Sequence, residues 1–368
     1  MTANSDSRSR FGKRADLLIH EAEPFNAETG RDSLLSSLTP NDAFYVRNHG
    51  AVPALDPTGW RLRVDGLVER PLSLSLETLR SAFAQRTVTA TLQCAGNRRA
   101  GLIAVRAIPG EAPWGPGATG TATWTGAALG DVLALAHPLK TAEHAGFEGA
   151  DLSPEAEPEQ RFGGSIPLDK AARSEVLLAW EMNGEPLPAV HGAPVRVVVP
   201  GYIGARSVKW LEHIELRASP WPGYFQDVVY RLLAPEQRPG PGVGMALGLV
   251  ALNSDVLAPR DGASVAAGEV EVRGYAFAGG DRSVARVDVS ADGGRSWAQA
   301  ELLDDLGRWA WRHWRIALDL APGEHEIVVR AWDSSAAIQP EDEAGLWNPK
   351  GYVNNARPRI TVRARAAT

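Results

Sequence analysis

The stretch Leu92-Gln93-Cys94-Ala95-Gly96-Asn97-Arg98-Arg99 contains the only cysteine of the 368-residue chain. Cys94 follows an alternating, strand-like segment and precedes three small, turn-forming residues that let a ligand approach the backbone. Two arginines come next, and guanidinium charge beside a thiol favours the thiolate, the form that binds metals. A soft thiolate suits a redox metal that is otherwise held by sulfur. A lone cysteine by itself is more often a small buried hydrophobe, so the flanking loop is what favours a metal ligand.

Composition and charge exclude several classes of protein. Hydrophobic residues make up 44% of the chain, yet no apolar run approaches the roughly 20 residues of a membrane span. The net charge of −6 argues against a nucleic-acid partner. One cysteine excludes an internal disulfide and any multi-cysteine zinc or iron–sulfur site. The first 35 residues lack an apolar signal segment, so a cytoplasmic location is expected, or a periplasmic one if a native export signal was removed.

The length predicts two or three domains. Residues 1–40 are polar and predict an N-terminal arm with one short helix, and residues 41–245 predict a first domain. Short strands at 61–66, 87–92 and 195–199 alternate there with short helices at 74–83 and 129–136. This mixture lacks the regular spacing of a dinucleotide fold, so the predicted class is α+β. The Gly/Pro segment 238–244 is the predicted linker to a second domain at 246–368.

The second domain has the pattern of an immunoglobulin-like β-sandwich without a disulfide. Residues 270–275, 284–289 and 326–332 alternate between apolar and polar side chains, which predicts half-buried strands. Asp292-Gly293-Gly294 predicts a hairpin turn between two of these strands. Tryptophans at 297, 309, 311, 314 and 332 are interpreted as core and as a contact surface.

The loop around Cys94 closely resembles the molybdenum-binding loop of the sulfite oxidase family. The resemblance extends in the same order over roughly residues 40–365. Further matching segments are Phe44–His49, Gly146–Asp151, Gly164–Leu168, Glu181–Pro188, His191–Arg196, Gly204–Trp210, Ala258–Gly262, Asp288–Gly294 and Leu346–Gly351. The chain is therefore identified as a member of that family, with a molybdopterin-binding domain followed by a dimerisation domain.

The resemblance implies a molybdenum cofactor whose metal is ligated by Cys94. The implied cofactor contacts are Tyr45, Val46, Arg47, Asn48, His49, Asp151, His191, Arg196, Arg206, Ser207, Val208 and Lys209. Their chemistry agrees with this role, because cations pair with the phosphate of the pterin tail and Asp151 can accept hydrogen bonds from pterin N–H groups. The other six histidines match no site motif and are expected to be structural.

The implied pocket for a small oxyanion substrate contains Arg47, Arg99, Trp114, Tyr230 and Lys350. Cys94, Arg47, Arg99 and Tyr230 are expected to act in catalysis, with Tyr230 donating hydrogen bonds to the substrate or to an oxo group. Three of the pocket positions depart from the family pattern. Trp114 lies one residue further from the cysteine than in the animal enzymes, and Asp227 lies three residues before Tyr230 rather than next to it. Lys350 replaces an arginine, which keeps the charge but loses the bidentate geometry.

The resemblance implies oxidation of sulfite to sulfate. The alternative is reduction of nitrate or an S-oxide on the same metal, which Asn354-Asn355 favours slightly, and a third is a binding protein without chemistry. No haem domain is expected, so the electrons would leave to a separate acceptor, for which a c-type cytochrome is one candidate. A homodimer is expected from the second domain.

Overall fold

In the computed structural model, which describes residues 7–366, strands carry most of the regular structure. In chain order they are β1 (Leu18–Glu21), β2 (Asn26–Glu28), β3 (Arg61–Gly66), β4 (Leu72–Ser75), β5 (Gln85–Gln93), β6 (Thr119–Ala128), β7 (His144–Ser153), β8 (Gln160–Pro167), β9 (Leu177–Met182), β10 (Glu185–Pro186), β11 (Arg196–Val198), β12 (Leu211–Arg217), β13 (Arg231–Leu232), β14 (Met245–Ala246), β15 (Asn253–Ala258), β16 (Ser264–Ala266), β17 (Gly268–Phe277), β18 (Val284–Ser290), β19 (Ala298–Gln299), β20 (Glu301–Leu302), β21 (Arg312–Leu320), β22 (Gly323–Asp333) and β23 (Arg359–Arg365). The α-helices are short and comprise residues 7–10, Arg31–Leu34, Leu76–Ala82, Arg99–Val105, Leu129–Ala136 and Leu168–Ala171. Tight 3-10 turns lie at Ala189–His191, Gly204–Arg206 and Ala344–Leu346, and Phe225–Val229 is π-helical.

Two five-stranded sheets form the first domain. One has the order β10-β9-β6-β5, with β11 also paired to β9, and the other has the order β4-β3-β12-β7-β8. Only the β3–β12 pair among these is parallel. The strand β3 alternates between buried and exposed residues, as its sequence predicts, and its Leu62 and Val64 join Phe147, Val197 and Ile214 in one apolar core.

Two sheets also form the second domain, and they confirm the predicted sandwich. Their orders are β15-β17-β21-β20 and β16-β23-β22-β18-β19. Their inner faces share a separate apolar core that includes Val272, Val287, Trp314 and Val329, all fully buried. Trp311 belongs instead to the first domain's core, and its indole nitrogen donates to the Ser37 carbonyl at 3.0 Å. The α+β class with an immunoglobulin-like second domain is therefore confirmed.

The structure adds detail to three local predictions. The described part of the predicted N-terminal arm packs on the first domain, because Leu17 and Phe25 are buried against Val46 and Val190. The predicted linker is a pinned loop, since the Arg231 guanidinium donates to the carbonyls of residues 242, 243 and 244. The turn at 292–294 leads from β18 to the two-residue strand β19, and β18 pairs with the distant strand β22 on its other edge.

The predicted helix at 129–136 has the predicted bounds, whereas the one at 74–83 begins later. Leu74 and Ser75 still belong to β4, and the Ser75 side chain accepts a hydrogen bond from the Thr78 amide as the helix N-cap. Over residues 7–366, no helix combines the length and apolar character needed to cross a membrane.

Candidate active site

A cavity opens between loops and strands of the first domain. Most of the predicted cofactor residues line it, although they come from distant parts of the chain. The lining residues that the sequence predicts are Tyr45, Val46, Arg47, Asn48, His49, Cys94, Asp151, His191, Arg196, Ser207, Lys209 and Tyr230. Folding therefore brings most of the residues that the resemblance implies into one cavity.

Cys94 lies in the cavity wall directly after β5 and is 6% exposed. Its amide donates to the Ala118 carbonyl at 2.9 Å, and the Gly96 amide lies 3.4 Å from its sulfur. A Cβ atom at position 96 would lie 2.5 Å from the Arg99 guanidinium, so a larger residue there would displace that group. The loop thus holds one free thiol at a fixed position facing the cavity.

Among the described residues, three buried cations in or next to this cavity have no carboxylate within ion-pair distance; Arg196 and Lys209 line the cavity, and Lys13 lies behind His191. We call Lys13, Arg196 and Lys209 the carboxylate-free group. Arg196 donates to the carbonyls of His191 and Ser207 at 3.0 and 2.9 Å. Burial lowers the pKa of Arg196 to about 10, and burial followed by the charge of Arg196 holds the pKa of Lys209 well below its usual range. An anionic group in the cavity would stabilise the charges of both side chains.

Lys13 belongs to this group although the sequence did not single it out. Its ammonium contacts the Asn41 and Phe44 carbonyls at 2.6 and 3.0 Å and the His191 Nε2 atom at 2.6 Å. Burial lowers the pKa of Lys13 to about 7, and burial together with the charge of Lys13 holds the pKa of His191 well below its usual range. His191 is therefore neutral at neutral pH.

Asp151 offers a direct test of whether the cavity fits the implied cofactor. Its Oδ1 atom is buried without a hydrogen-bond partner in the part of the chain that the structure describes. Burial raises the pKa of Asp151 to about 7, against the opposing charge of Lys209. A buried acceptor of this kind calls for a donor. The N–H groups of a pterin are such donors, so the thiol, the cations and this acceptor together fit a molybdopterin-type cofactor.

A hydrogen-bonded chain runs from the cavity to the surface through His49. Its Nδ1 atom lies 2.9 Å from Glu155, and its Nε2 atom lies 2.7 Å from the Tyr230 hydroxyl. Burial by itself would raise the pKa of Glu155, but the hydrogen bond with His49 and the charge of Arg47 lower it to about 2. Burial and the charge of Arg47 lower the pKa of His49 to about 4, so this imidazole is neutral.

The Nδ1 atom of His49 lies between a group that can only accept, the ionised carboxylate of Glu155, and one that can only donate, the Arg47 guanidinium at 3.1 Å. The direction of the hydrogen bond between Nε2 and the Tyr230 hydroxyl follows from the tautomer of His49. With the proton on Nε2, the Tyr230 hydroxyl is free to donate into the cavity, as the sequence predicts.

Arg99 and Lys350, predicted to bind substrate, stand beside the cavity and do not line it. The Arg99 guanidinium donates to the carbonyls of Lys350 and Ala112, both at 3.0 Å, and pairs with Glu111 at 3.2 Å. The Lys350 ammonium also pairs with Glu111. The Arg99 group is joined to the cavity by aromatic rings, since it lies 5.3 Å from the Tyr352 ring, whose centroid is 5.7 Å from that of Tyr230.

Three other predicted residues also lie outside the cavity wall. Arg206 is buried and donates to the Leu247 carbonyl, so it faces a neighbouring cleft. Val208 packs in the first domain's core, and Trp114 is buried with its ring 4.6 Å from the His20 ring. Side-chain direction, which a motif does not specify, accounts for all three.

The second domain holds the loop that follows Cys94. Arg98 has a positive φ of 63° and donates to the Ala356 carbonyl at 2.6 Å and to Asn253 at 3.2 Å. The Val353 amide donates to the Ala95 carbonyl at 2.9 Å. The position of Cys94 therefore depends on both domains.

One free thiol in the wall of a cavity that also contains buried cations is the arrangement expected of a protein that binds a metal cofactor through a single cysteine. Comparison with known proteins identifies the cofactor. Residues 49–225 match the model of the oxidoreductase molybdopterin binding domain, and residues 247–365 match that of the Mo-co oxidoreductase dimerisation domain.

Whole-chain relatives agree with these matches. The chain is 46% identical to a sulfite oxidase of Gallus gallus, over 92% of this chain and 76% of that protein. It is 37% identical to a sulfite oxidase of Arabidopsis thaliana, over 95% of each. A crystal structure of the sulfane dehydrogenase SoxCD from Paracoccus pantotrophus superposes with a TM-score of 0.81 at 26% identity, covering 98% of this chain and 92% of that one. The chain belongs to the sulfite oxidase family of molybdenum enzymes.

The structure adds two carboxylates, Glu111 and Glu155, that the sequence did not mark as site residues. Both pair with arginines that the resemblance assigns to the substrate. Neither lies in a matching motif, so no signal in the single sequence could have identified them. Phe162 also lines the cavity, and its ring stacks on His49 at 5.0 Å.

Proposed function

We propose that the protein oxidises sulfite to sulfate at a molybdenum cofactor held through Cys94 and passes the electrons to a separate acceptor. The observation that supports this most directly is the position of Cys94, whose free thiol faces a cavity lined by buried cations and by an acceptor without a partner. The reaction adds one oxygen atom, derived from water, to sulfite and releases two electrons and two protons. When bound, the cofactor supplies the oxygen transfer and accepts the electrons.

The residues of the chain would bind, orient and enclose the reactants. Arg196, Ser207 and Lys209 would hold the phosphate of the cofactor, and Asp151 would accept from its pterin. Arg47 is the predicted substrate arginine that lines the cavity itself, so it would hold an oxygen of the anion. Arg99 and Lys350 would add positive charge from the side.

Tyr230, which also lines the cavity, would orient the bound anion. Its hydrogen bond with His49 fixes the hydroxyl, and the chain of His49 and Glu155 offers a hydrogen-bonded connection to solvent, because the Glu155 side chain is 40% exposed. Tyr230 and His49 are both buried, so this connection leads out of an enclosed site.

A steady-state assay with sulfite and ferricyanide tests the proposal, using protein produced with the cofactor available. Wild-type protein should reduce ferricyanide in a sulfite-dependent manner. Cys94→Ser should lower the rate by at least about a thousandfold, because a neutral hydroxyl is a poor ligand for a soft metal. Circular dichroism of both proteins checks that the fold is retained.

Two outcomes would contradict the proposal. Turnover of nitrate with a reduced dye, without turnover of sulfite, would favour the reductase alternative. Sulfite oxidation that survives in Cys94→Ser would remove the thiolate from the chemistry.

We also propose that the protein is a homodimer, which the match of residues 247–365 to a dimerisation domain supports. Sedimentation equilibrium should give about twice the 39.4 kDa of the chain. A mass equal to that of one chain at micromolar concentration would contradict a stable dimer. The electron acceptor, for which a c-type cytochrome is a candidate, can be sought by adding such cytochromes to the sulfite assay.

A further inference from the structure

Glu111 sits between the two cations that the resemblance assigns to the edge of the substrate pocket. One carboxylate oxygen pairs with the Arg99 guanidinium at 3.2 Å, and the other pairs with the Lys350 ammonium. All three side chains are largely buried, with 17% of Glu111, 3% of Arg99 and 19% of Lys350 exposed. Two cations and one carboxylate leave this group with one net positive charge.

The Arg99 side chain is held beside Glu111 by backbone carbonyls. Its Nε and Nη1 atoms donate to the carbonyls of Lys350 and Ala112. Gly96 and Gly351 lie close to its two ends, since a Cβ atom added at either glycine would lie 2.5 Å from Arg99. The remaining guanidinium nitrogen, Nη2, is the one that pairs with Glu111.

Glu111 itself lies on a loosely packed turn. The preceding residue, Gly110, has a φ of 80°, and no atom lies within 4 Å of where its Cβ would be. Pro109 and Gly110 are exposed. Lys350 has a long, unbranched side chain, so Glu111 and Lys350 can rearrange around a fixed Arg99.

We propose that Glu111 is a specificity-determining residue that competes with the anionic substrate for Arg99 and Lys350. This proposal rests on the proposed function. A small oxyanion can pair with the Arg99 guanidinium only when the Glu111 carboxylate is displaced from it. Glu111 therefore weakens the binding of both substrate and product. Bound anion and Glu111 are alternative partners of the same two cations.

Glu111 weakens anion binding through the charge of its carboxylate rather than through its shape. Glu111→Gln keeps the size of the side chain and raises the net charge of the group from one to two. The KM for sulfite should fall by about fivefold to tenfold, with kcat changed by less than about twofold. The inhibition constant of sulfate should fall by the same factor, because the product meets the same cations. A structural role alone would lower kcat or stability and would not move both anion constants together.

A matched control is Glu175→Gln. Glu175 pairs with Lys170 at 2.7 Å and is 14% exposed, so it is a comparably buried carboxylate of a lysine pair away from the site. This change should leave both constants within about twofold of wild type. If Glu111→Gln does not fold, Glu111→Asp tests the same point, since the shorter side chain cannot bridge both cations and should lower KM by about twofold to threefold.

Direct binding separates this proposal from the proposed function. Calorimetric titration of sodium sulfate into the molybdenum-loaded protein measures anion affinity without turnover, so it applies even if sulfite is not oxidised. Tighter sulfate binding by Glu111→Gln than by wild type and Glu175→Gln supports competition. Equal or weaker binding by the Glu111 variants would overturn it, whatever the sulfite assay shows.

Discussion

The site contains two groups of cations that differ in how their charges are balanced. Lys13, Arg196 and Lys209 form the carboxylate-free group, whose donors contact backbone carbonyls; Arg196 and Lys209 also line the cavity. Arg47, Arg99 and Lys350 form the carboxylate-paired group, balanced by Glu155 and Glu111. The first group has unbalanced charge in a buried place, which is costly until an anion arrives. Each cation of the second group already has a carboxylate partner, so an incoming anion must compete with that partner.

This difference agrees with the roles proposed for the two groups. A cofactor that stays bound benefits from cations whose only strong partner is its own phosphate. A substrate that must enter and leave at every turnover is better served by cations with a replaceable partner, because very tight binding of the ground state does not raise kcat.

The largest expected effect is on the pH dependence of the free energy of unfolding, and it comes from Lys13 of the carboxylate-free group. The pKa of Lys13 is about 7 when folded and 10.5 when unfolded, so above pH 7 the unfolded chain binds more protons. The stability that this group contributes is present above pH 10.5 and is lost as pH falls through 7. Urea denaturation of cofactor-free protein should therefore show wild type gaining about 2–3 kcal/mol from pH 7 to pH 9 relative to Lys13→Met.

The matched change in the carboxylate-paired group is Lys350→Met. It leaves Lys13 in place, so the gain in stability from pH 7 to pH 9 that Lys13 causes should persist in this variant. If the free energy of unfolding changed with pH in the same way in wild type and in Lys13→Met, the lowered pKa of a buried Lys13 would be contradicted.

The next effect is on cofactor retention. Lys209→Met removes a cation of the carboxylate-free group and should weaken cofactor binding by about tenfold to a hundredfold, since charge-assisted bonds to phosphate are strong. Molybdenum per chain, measured by mass spectrometry after gel filtration, should drop well below stoichiometry. Lys350→Met is again the matched change, and it should retain its molybdenum while its KM for sulfite rises. Equal loss of molybdenum from Lys209→Met and Lys350→Met would contradict different roles for the two groups of cations.

The smallest effect concerns the hydrogen bond that ties Tyr230 to His49. Tyr230→Phe removes a hydroxyl from a buried pair and leaves Nε2 of His49 without its partner, at a cost of about 1 kcal/mol. The kcat for sulfite should fall by roughly fivefold. Tyr224→Phe, which alters a half-buried tyrosine packed edge-on against Phe225, serves as the control. An unchanged kcat in Tyr230→Phe would exclude an orienting role for the hydroxyl.

Much of the fold was predictable because it follows from local periodicity. The alternating residues of β3 and β17 and the helix at 129–136 formed as their sequences predict. The helix predicted to begin at Leu74 began two residues later because Leu74 and Ser75 pair with β3. The burial of Leu17 and Phe25 depends on contacts with residues far along the chain, which periodicity does not contain.

Residue types and the order of the motifs were enough to predict which functional groups the site contains. One thiol, a set of cations and one acceptor such as Asp151 were evident from the sequence, and the fold brings most of them to one cavity. The charge balance was not evident. Lys13 meets His191 across 178 positions, His49 meets Glu155 across 106, and Lys350 meets Glu111 across 239.

The sequence by itself thus determined which groups are available to hold a molybdenum cofactor and an oxyanion. The tertiary structure alone decided which cations remain free for the cofactor and which are already paired. The physical reason is that ion pairing needs contact within a few ångströms in a desolvated place, and distance between residues along the chain carries no information about that contact.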